Sequence, residues 1–141
     1  MKHFKFYNKQ DILYLTKIRR FETKLGEMVQ VIDDQNNLEK SLNDTISKYV
    51  LIGIPEDIGV RANGGVGGAD TAWLPFLQSF FNIQSNDFLL GDEVLVMGAE
   101  PLEGRGIIAV HKGRYRVRER NVLRYYARSI AHLLTPSGPT H

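Results

Sequence analysis

The chain has 141 residues, 43% of them hydrophobic, with a formal net charge of +2 and no cysteine. That length makes one domain with a modest core, and the composition is that of an ordinary soluble protein rather than a disordered tail. Disulfides, thiolate zinc sites and a cysteine nucleophile are excluded.

The first residues, "MKHFKFYNKQD", show neither an apolar core nor a small-residue cleavage site, and no apolar run approaches the length of a membrane span. A cytoplasmic location is the expectation. Asn8 stands where a cap belongs, ahead of a helix that runs through Asp11 with Ile12, Leu15 and Ile18 at helical spacing. The following "RRFETKLGE" has no clear period, and its structure stays open. Leu38, Leu42 and Ile46 form a short amphipathic stripe, which predicts a second helix ending near Lys48. Tyr49 to Ile54 is a continuous apolar run, suited to a strand covered on both faces, as in a parallel sheet.

That strand breaks at Pro55 into a long loop carrying Gly59, Gly64, Gly65, Gly67 and Gly68. Asp70 or Thr71 can cap the next helix, which contains Trp73, Leu74, Leu77, Phe80 and Phe81 and accepts Pro75 only in its first turn. "GDEVLVMG", Gly91 to Gly98, reads as a second buried strand. Strand, crossover helix and strand make a βαβ unit, with the glycine loop at the carboxyl end of the first strand, where open α/β sheets place ligands. This leaves the sheet edges unpaired and the second face short of cover, and so a marginal fold.

The loop is a poor nucleotide site. A dinucleotide fingerprint would need a third glycine where Asp70 stands, and a P-loop needs a Gly-Lys-Ser/Thr ending, whereas no lysine lies between Lys48 and Lys112. Shaping a long ordered loop is the simplest use of these glycines.

Charge divides the chain. Residues 1–99 hold 10 Lys+Arg and 13 Asp+Glu, while residues 100–141 hold 8 and 3, with seven arginines and no aspartate. Within "VRERNVLRYYARSIAHLL", Val122, Leu123, Tyr126, Ile130, Leu133 and Leu134 share one face of a predicted C-terminal helix, and Arg120, Arg124 and Arg128 lie along another. A solvated basic face, an anionic partner and a segment of different origin are three readings of this pattern. No nucleic-acid recognition motif accompanies it.

The stretch from Lys48 to Gly98 resembles the amino-terminal part of the arginase and agmatinase superfamily, most closely its formimidoylglutamase-like branch. Pro55, Asp57, Gly59, Arg61, Asn63, Gly64 and Gly65 match that family's strand-to-loop motif, and Gly91 and Asp92 match the start of its second strand. "QDILYLTKIRRFETKLGE" is similar to the segment that leads into that branch. The resemblance implies a partial three-layer α/β/α fold with parallel strands over residues 1–99, and a hydrolase that cleaves the C–N bond of a small linear amidine between two Mn²⁺ ions.

The family's metal ligands come from Gly-Gly-x-His, Asp-x-His-x-Asp and Asp-x-Asp segments, and none of these occurs here. The histidines are His3, His111, His132 and His141, and none adjoins an aspartate. The expectation is therefore a hydrolase part cut off before its metal ligands, inactive alone and binding no Mn²⁺, with a tail from residue 100 produced by frameshift or fusion. Arg61, with Asn63 beside it, is the candidate grip for a substrate carboxylate; Pro55, Asp57, Gly59, Gly64 and Gly65 are loop-shaping residues. Self-association is a further expectation; a membrane or nucleic-acid partner is not. The competing reading is a small α/β interaction module that works through its basic C-terminal helix.

Overall fold

A computed structural model describes residues 4–54, 58–99 and 107–111, the side chains of 58, 59, 70 and 107–111 excepted. In chain order the elements are β1 (Lys5–Phe6), α1 (Lys9–Leu15), α2 (Leu25–Met28), α3 (Leu38–Asp44), β2 (Tyr49–Gly53), α4 (Ile58–Ala62), α5 (Trp73–Phe80), β3 (Val94–Ala99) and β4 (Ile107–His111). The fold is of the α/β class.

One sheet organises these elements, in the order β1-β3-β2-β4. β2 and β3 are parallel, as their continuous apolar runs predict. The sheet as a whole is mixed, because β1 lies antiparallel to β3 and β4 antiparallel to β2. Neither flanking strand is expected: β1 spans only two residues, and the apolar run of β4, Ile107 to Val110, stands in the arginine-rich part, where a helix alone is predicted. The outer edge of β3 is filled further by Gln30, whose N–H donates to the Val94 carbonyl at 2.9 Å and whose carbonyl accepts from Val96 at 2.8 Å. Both central strands are therefore paired on both sides, and the expectation of bare edges is corrected.

Alternation along the strands divides the core into two clusters. Val50, Ile52, Leu95 and Met97 point to one side, where Phe4, Ile32, Ile54 and Leu42 of α3 cover them. Leu51, Val94 and Val96 point to the other, against Ile12 of α1, Val29, and Trp73, Leu77 and Phe81. α3 supplies the cover that two strands and one helix lack. With apolar burial contributing roughly 25 cal/mol per Å², a second covered face is a large part of the stability of so small a fold.

Most local signals act as their residue types predict. Asn8 caps α1 reciprocally with Asp11, each side-chain oxygen accepting the other's backbone N–H at 2.9 Å. Lys9, next in line, points its ammonium at the carbonyls of Gly26, Glu27 and Val29 at 3.3, 2.9 and 2.8 Å, closing the carboxyl end of α2. α1 stops at Leu15, so Ile18 lies outside the predicted stripe and is exposed. α3 stops at Asp44, which likewise leaves Ile46 outside. Pro75 is in the first turn of α5, but the cap residue is Ala72, with no side-chain bond; Asp70 and Thr71 lie in a preceding 3-10 turn, Ala69–Thr71.

Among the described residues no helix is long and apolar enough to cross a membrane. The predicted C-terminal helix over residues 117–134 lies outside the described residues, as do Pro55 and Asp57.

Candidate functional site

The glycine-bearing loop leaves the carboxyl end of β2 and is less irregular than its composition suggests. Its first part folds as α4, which ends in a glycine turn: the Gly64 N–H donates to the Arg61 carbonyl at 3.0 Å and the Gly65 N–H to the Val60 carbonyl at 2.9 Å. Gly64 holds a φ of 74°, the left-handed conformation in which helices commonly end and which glycine adopts without strain. Gly59 lies within α4. Farther on, the Gly68 carbonyl accepts from the Thr71 N–H at 3.1 Å and the Thr71 hydroxyl at 2.8 Å, which fixes the turn leading into α5. The glycines thus stop one helix and start another.

Arg61 and Asn63 lie two residues apart at the carboxyl end of α4, and both are exposed. The loop places this pair at the sheet end where α/β folds bind ligands. A guanidinium there can grip a carboxylate through two parallel N–H donors.

Beneath the loop lies a residue pair that sequence reasoning missed. Gly53, the last residue of β2, has no side chain because the Trp73 ring occupies that space; an added Cβ would meet Trp73 Cε2 at 2.7 Å and Ala99 Cβ at 2.7 Å. Trp73 is buried, and its indole Nε1–H donates to the Tyr7 hydroxyl at 2.9 Å. From there an aromatic row continues through Phe76 and Phe80, with centroid separations of 5.9 and 5.5 Å. Lys5 Nζ sits 5.5 Å from the Tyr7 ring centre. No spacing rule links Tyr7 to Trp73, so only the fold reveals the pair.

Two ionisable groups are shifted by their surroundings. Partial burial lowers the Lys9 ammonium below its ordinary value, opposed by the nearby Glu27 carboxylate. Burial alone would raise the Glu93 carboxyl, but backbone N–H groups, those of Gly91 at 2.7 Å and Leu90 at 3.1 Å among them, outweigh it and hold the group below its ordinary value. Glu93 also ties the two strands together, since its carbonyl accepts from the N–H groups of Lys48 and Tyr49 at 2.7 and 2.9 Å. Both shifts belong to the scaffold.

Among the described residues no three His, Asp or Glu side chains are grouped to hold a metal ion. Residue 111, the only described histidine position, pairs in register with Tyr49 at the amino end of β2. Four residues of strand separate it from the loop end, roughly 13 Å at the rise of an extended chain.

Searches of family models, curated proteins and solved structures give no match to this chain. The parallel pair and its loop are thus the features on which a functional reading rests.

Proposed function

We propose that residues 1–99 are the amino-terminal part of a formimidoylglutamase-like amidine hydrolase, built as a partial three-layer α/β/α fold. The observation that carries this reading is the parallel pairing of β2 with β3, with the motif-bearing loop and α5 between them in the chain. In this reading Arg61 and Asn63 bind the carboxylate end of a small amidine substrate. The bridged metal pair that would activate water has no ligand set among the described residues.

The test is direct. Purified chain should release neither formamide from formimidoylglutamate nor urea from arginine or agmatine, with or without Mn²⁺. Chelator-sensitive release of either product would overturn the inactive-part reading. The coding DNA tests the origin of the tail: read one or two nucleotides out of register beyond Gly98, it should open a long frame containing the Gly-Gly-x-His and Asp-x-His-x-Asp segments.

β4 favours a second reading. Its five residues, Ile107–His111, pair with all five residues of β2, from Tyr49 to Gly53. A segment of foreign origin has no reason to complete that edge, so the pairing supports a small α/β interaction module in which the arginine-rich part is native. Stop codons throughout both alternative frames would move the weight to this reading. An Arg124→Glu, Arg128→Glu variant that lost binding to an acidic partner would then locate the interaction.

A further inference from the structure

Two turns on the side of the sheet that carries α1 and α5 hold apolar side chains that join neither core cluster. Residues 17–25 and 82–85 are fastened to each other by the Lys17 N–H on Asn82 Oδ1 at 2.7 Å, the Ser85 N–H on the Thr23 carbonyl at 2.8 Å and the Leu25 N–H on the Ile83 carbonyl at 2.9 Å. Beyond these fastenings Ile18 and Ile83 stand in solvent, and Phe21 and Phe88 are 93% and 99% exposed. Phe21 also holds a φ of 67°, the left-handed region that bulky residues avoid, and the Arg20 guanidinium lies 4.9 Å from its ring centre.

Single exposed apolar residues need no explanation, but Ile18, Phe21 and Ile83 share two cross-bonded turns and Phe88 stands on the next one, Asn86–Leu89, all beside the exposed cations Lys17, Arg19 and Arg20, with Asp87 the one exposed anion among them. Aromatic and arginine side chains are those that dominate binding once desolvated. Three exposed cations against Asp87 leave the tip net positive, which favours an acidic partner. A surface of that character exists on the same molecule: Asp33, Asp34, Glu39 and Asp44 are exposed along α3 and the turn before it, with Lys40 the one cation among them and exposed Ile46 just beyond. The patch is fastened on the α5 side of the sheet and α3 packs on the other, so the two surfaces of one molecule face apart.

We propose that this basic, aromatic tip docks on the acidic flank of α3 in a second copy of the chain, a head-to-tail contact between unlike surfaces. The proposal stands independently of the hydrolase reading.

Sedimentation of the full chain over a wide concentration range tests it. Association should increase with concentration and weaken at least about tenfold between low and high salt, because the rim charges are solvent-screened. Phe21→Ser with Phe88→Ser should abolish it, as should Arg19→Glu with Arg20→Glu, a variant that leaves both rings in place and so guards against a folding artefact. Asp33→Lys with Asp44→Lys should abolish it from the other side. Mixing the phenylalanine variant with the aspartate variant should restore association but stop at pairs, since one intact tip then meets one intact flank. A monomer at every concentration, association untouched by the tip variants, or failure of the mixture to pair would each overturn the proposal. Tip-dependent flotation with phosphatidylserine vesicles by a chain that stays monomeric would also overturn it and make the tip a membrane contact.

Discussion

Gly98 and Gly64 both hold a positive φ, yet replacing each by alanine should have different costs. At Gly98, where φ is 140° and β1 crosses the end of β3, an added Cβ collides with the Lys5 carbonyl, a backbone atom that cannot swing away. At Gly64 an added Cβ meets nothing within 4 Å, so only the conformational strain of about 1–2 kcal/mol remains. Gly98→Ala should therefore lower the urea midpoint markedly more than Gly64→Ala, with the loss at Gly98 exceeding about 3 kcal/mol. Equal midpoints would show that β1 is not held against Gly98. Glu93 gives a prediction in pH. Its folded carboxyl titrates below the ordinary 4.5, so the native state binds fewer protons than the unfolded chain in that range. The resulting stability is present above pH 4.5 and is lost as pH falls through the folded value. Glu93→Gln should accordingly melt below the parent at neutral pH, and the gap should narrow as pH falls below 4.5.

At the scale of elements, the Trp73–Tyr7 hydrogen bond joins α5 to the chain just after β1, across 66 residues of sequence. Removing both partners through Tyr7→Phe and Trp73→Phe should show a coupling of roughly 0.5–1.5 kcal/mol in a double-mutant cycle. Additive losses would mean that the bond contributes nothing beyond the packing of each ring. What was legible in the sequence follows the range of the signal. The Asn8 cap, α5 with Pro75 in its first turn, and the continuous runs of β2 and β3 are local patterns, and all are present. β1 and the Gln30 bridge were not legible, because one or two residues of strand are defined by the edge they meet rather than by their own period, and β4, an apolar run like that of β2, is overshadowed by the arginine-rich helical pattern that follows it. Composition pointed to the loop as the site but not to its shape. Val60 and Arg61 lie in the last turn of a helix whose carbonyls are closed by the Gly65 and Gly64 N–H groups, a bond pattern that a count of glycines does not show.

At the largest scale, covered faces and paired central strands replace the bare edges and open face expected from two strands and one helix. The two clusters share β2 and β3, so neither can loosen without exposing the other's strands. Thermal unfolding at low micromolar concentration should thus be a single cooperative transition. Trp73, the one tryptophan, is buried in the α5 cluster and reports on that side of the sheet through its fluorescence. Its transition should coincide with that of far-ultraviolet circular dichroism. A fluorescence change that clearly precedes the loss of secondary structure would mean that the two faces melt separately.

The pairing of Lys5 with Ala99 also sets a timetable. Among the described strands the earliest in the chain docks on one made far later, Lys5 on Ala99, so residues 4–7 wait unpaired while the chain between them is synthesised. Helical pieces such as α1 and α5 can form early from neighbours in sequence, but the β1 edge closes only after a long loop has been drawn in, the kind of contact that slows folding. During that interval residues 4–7 are open to any strand edge that reaches them first. Slow translation up to residue 99 prolongs this exposure, and a tag fused ahead of Lys5 adds chain to the waiting segment.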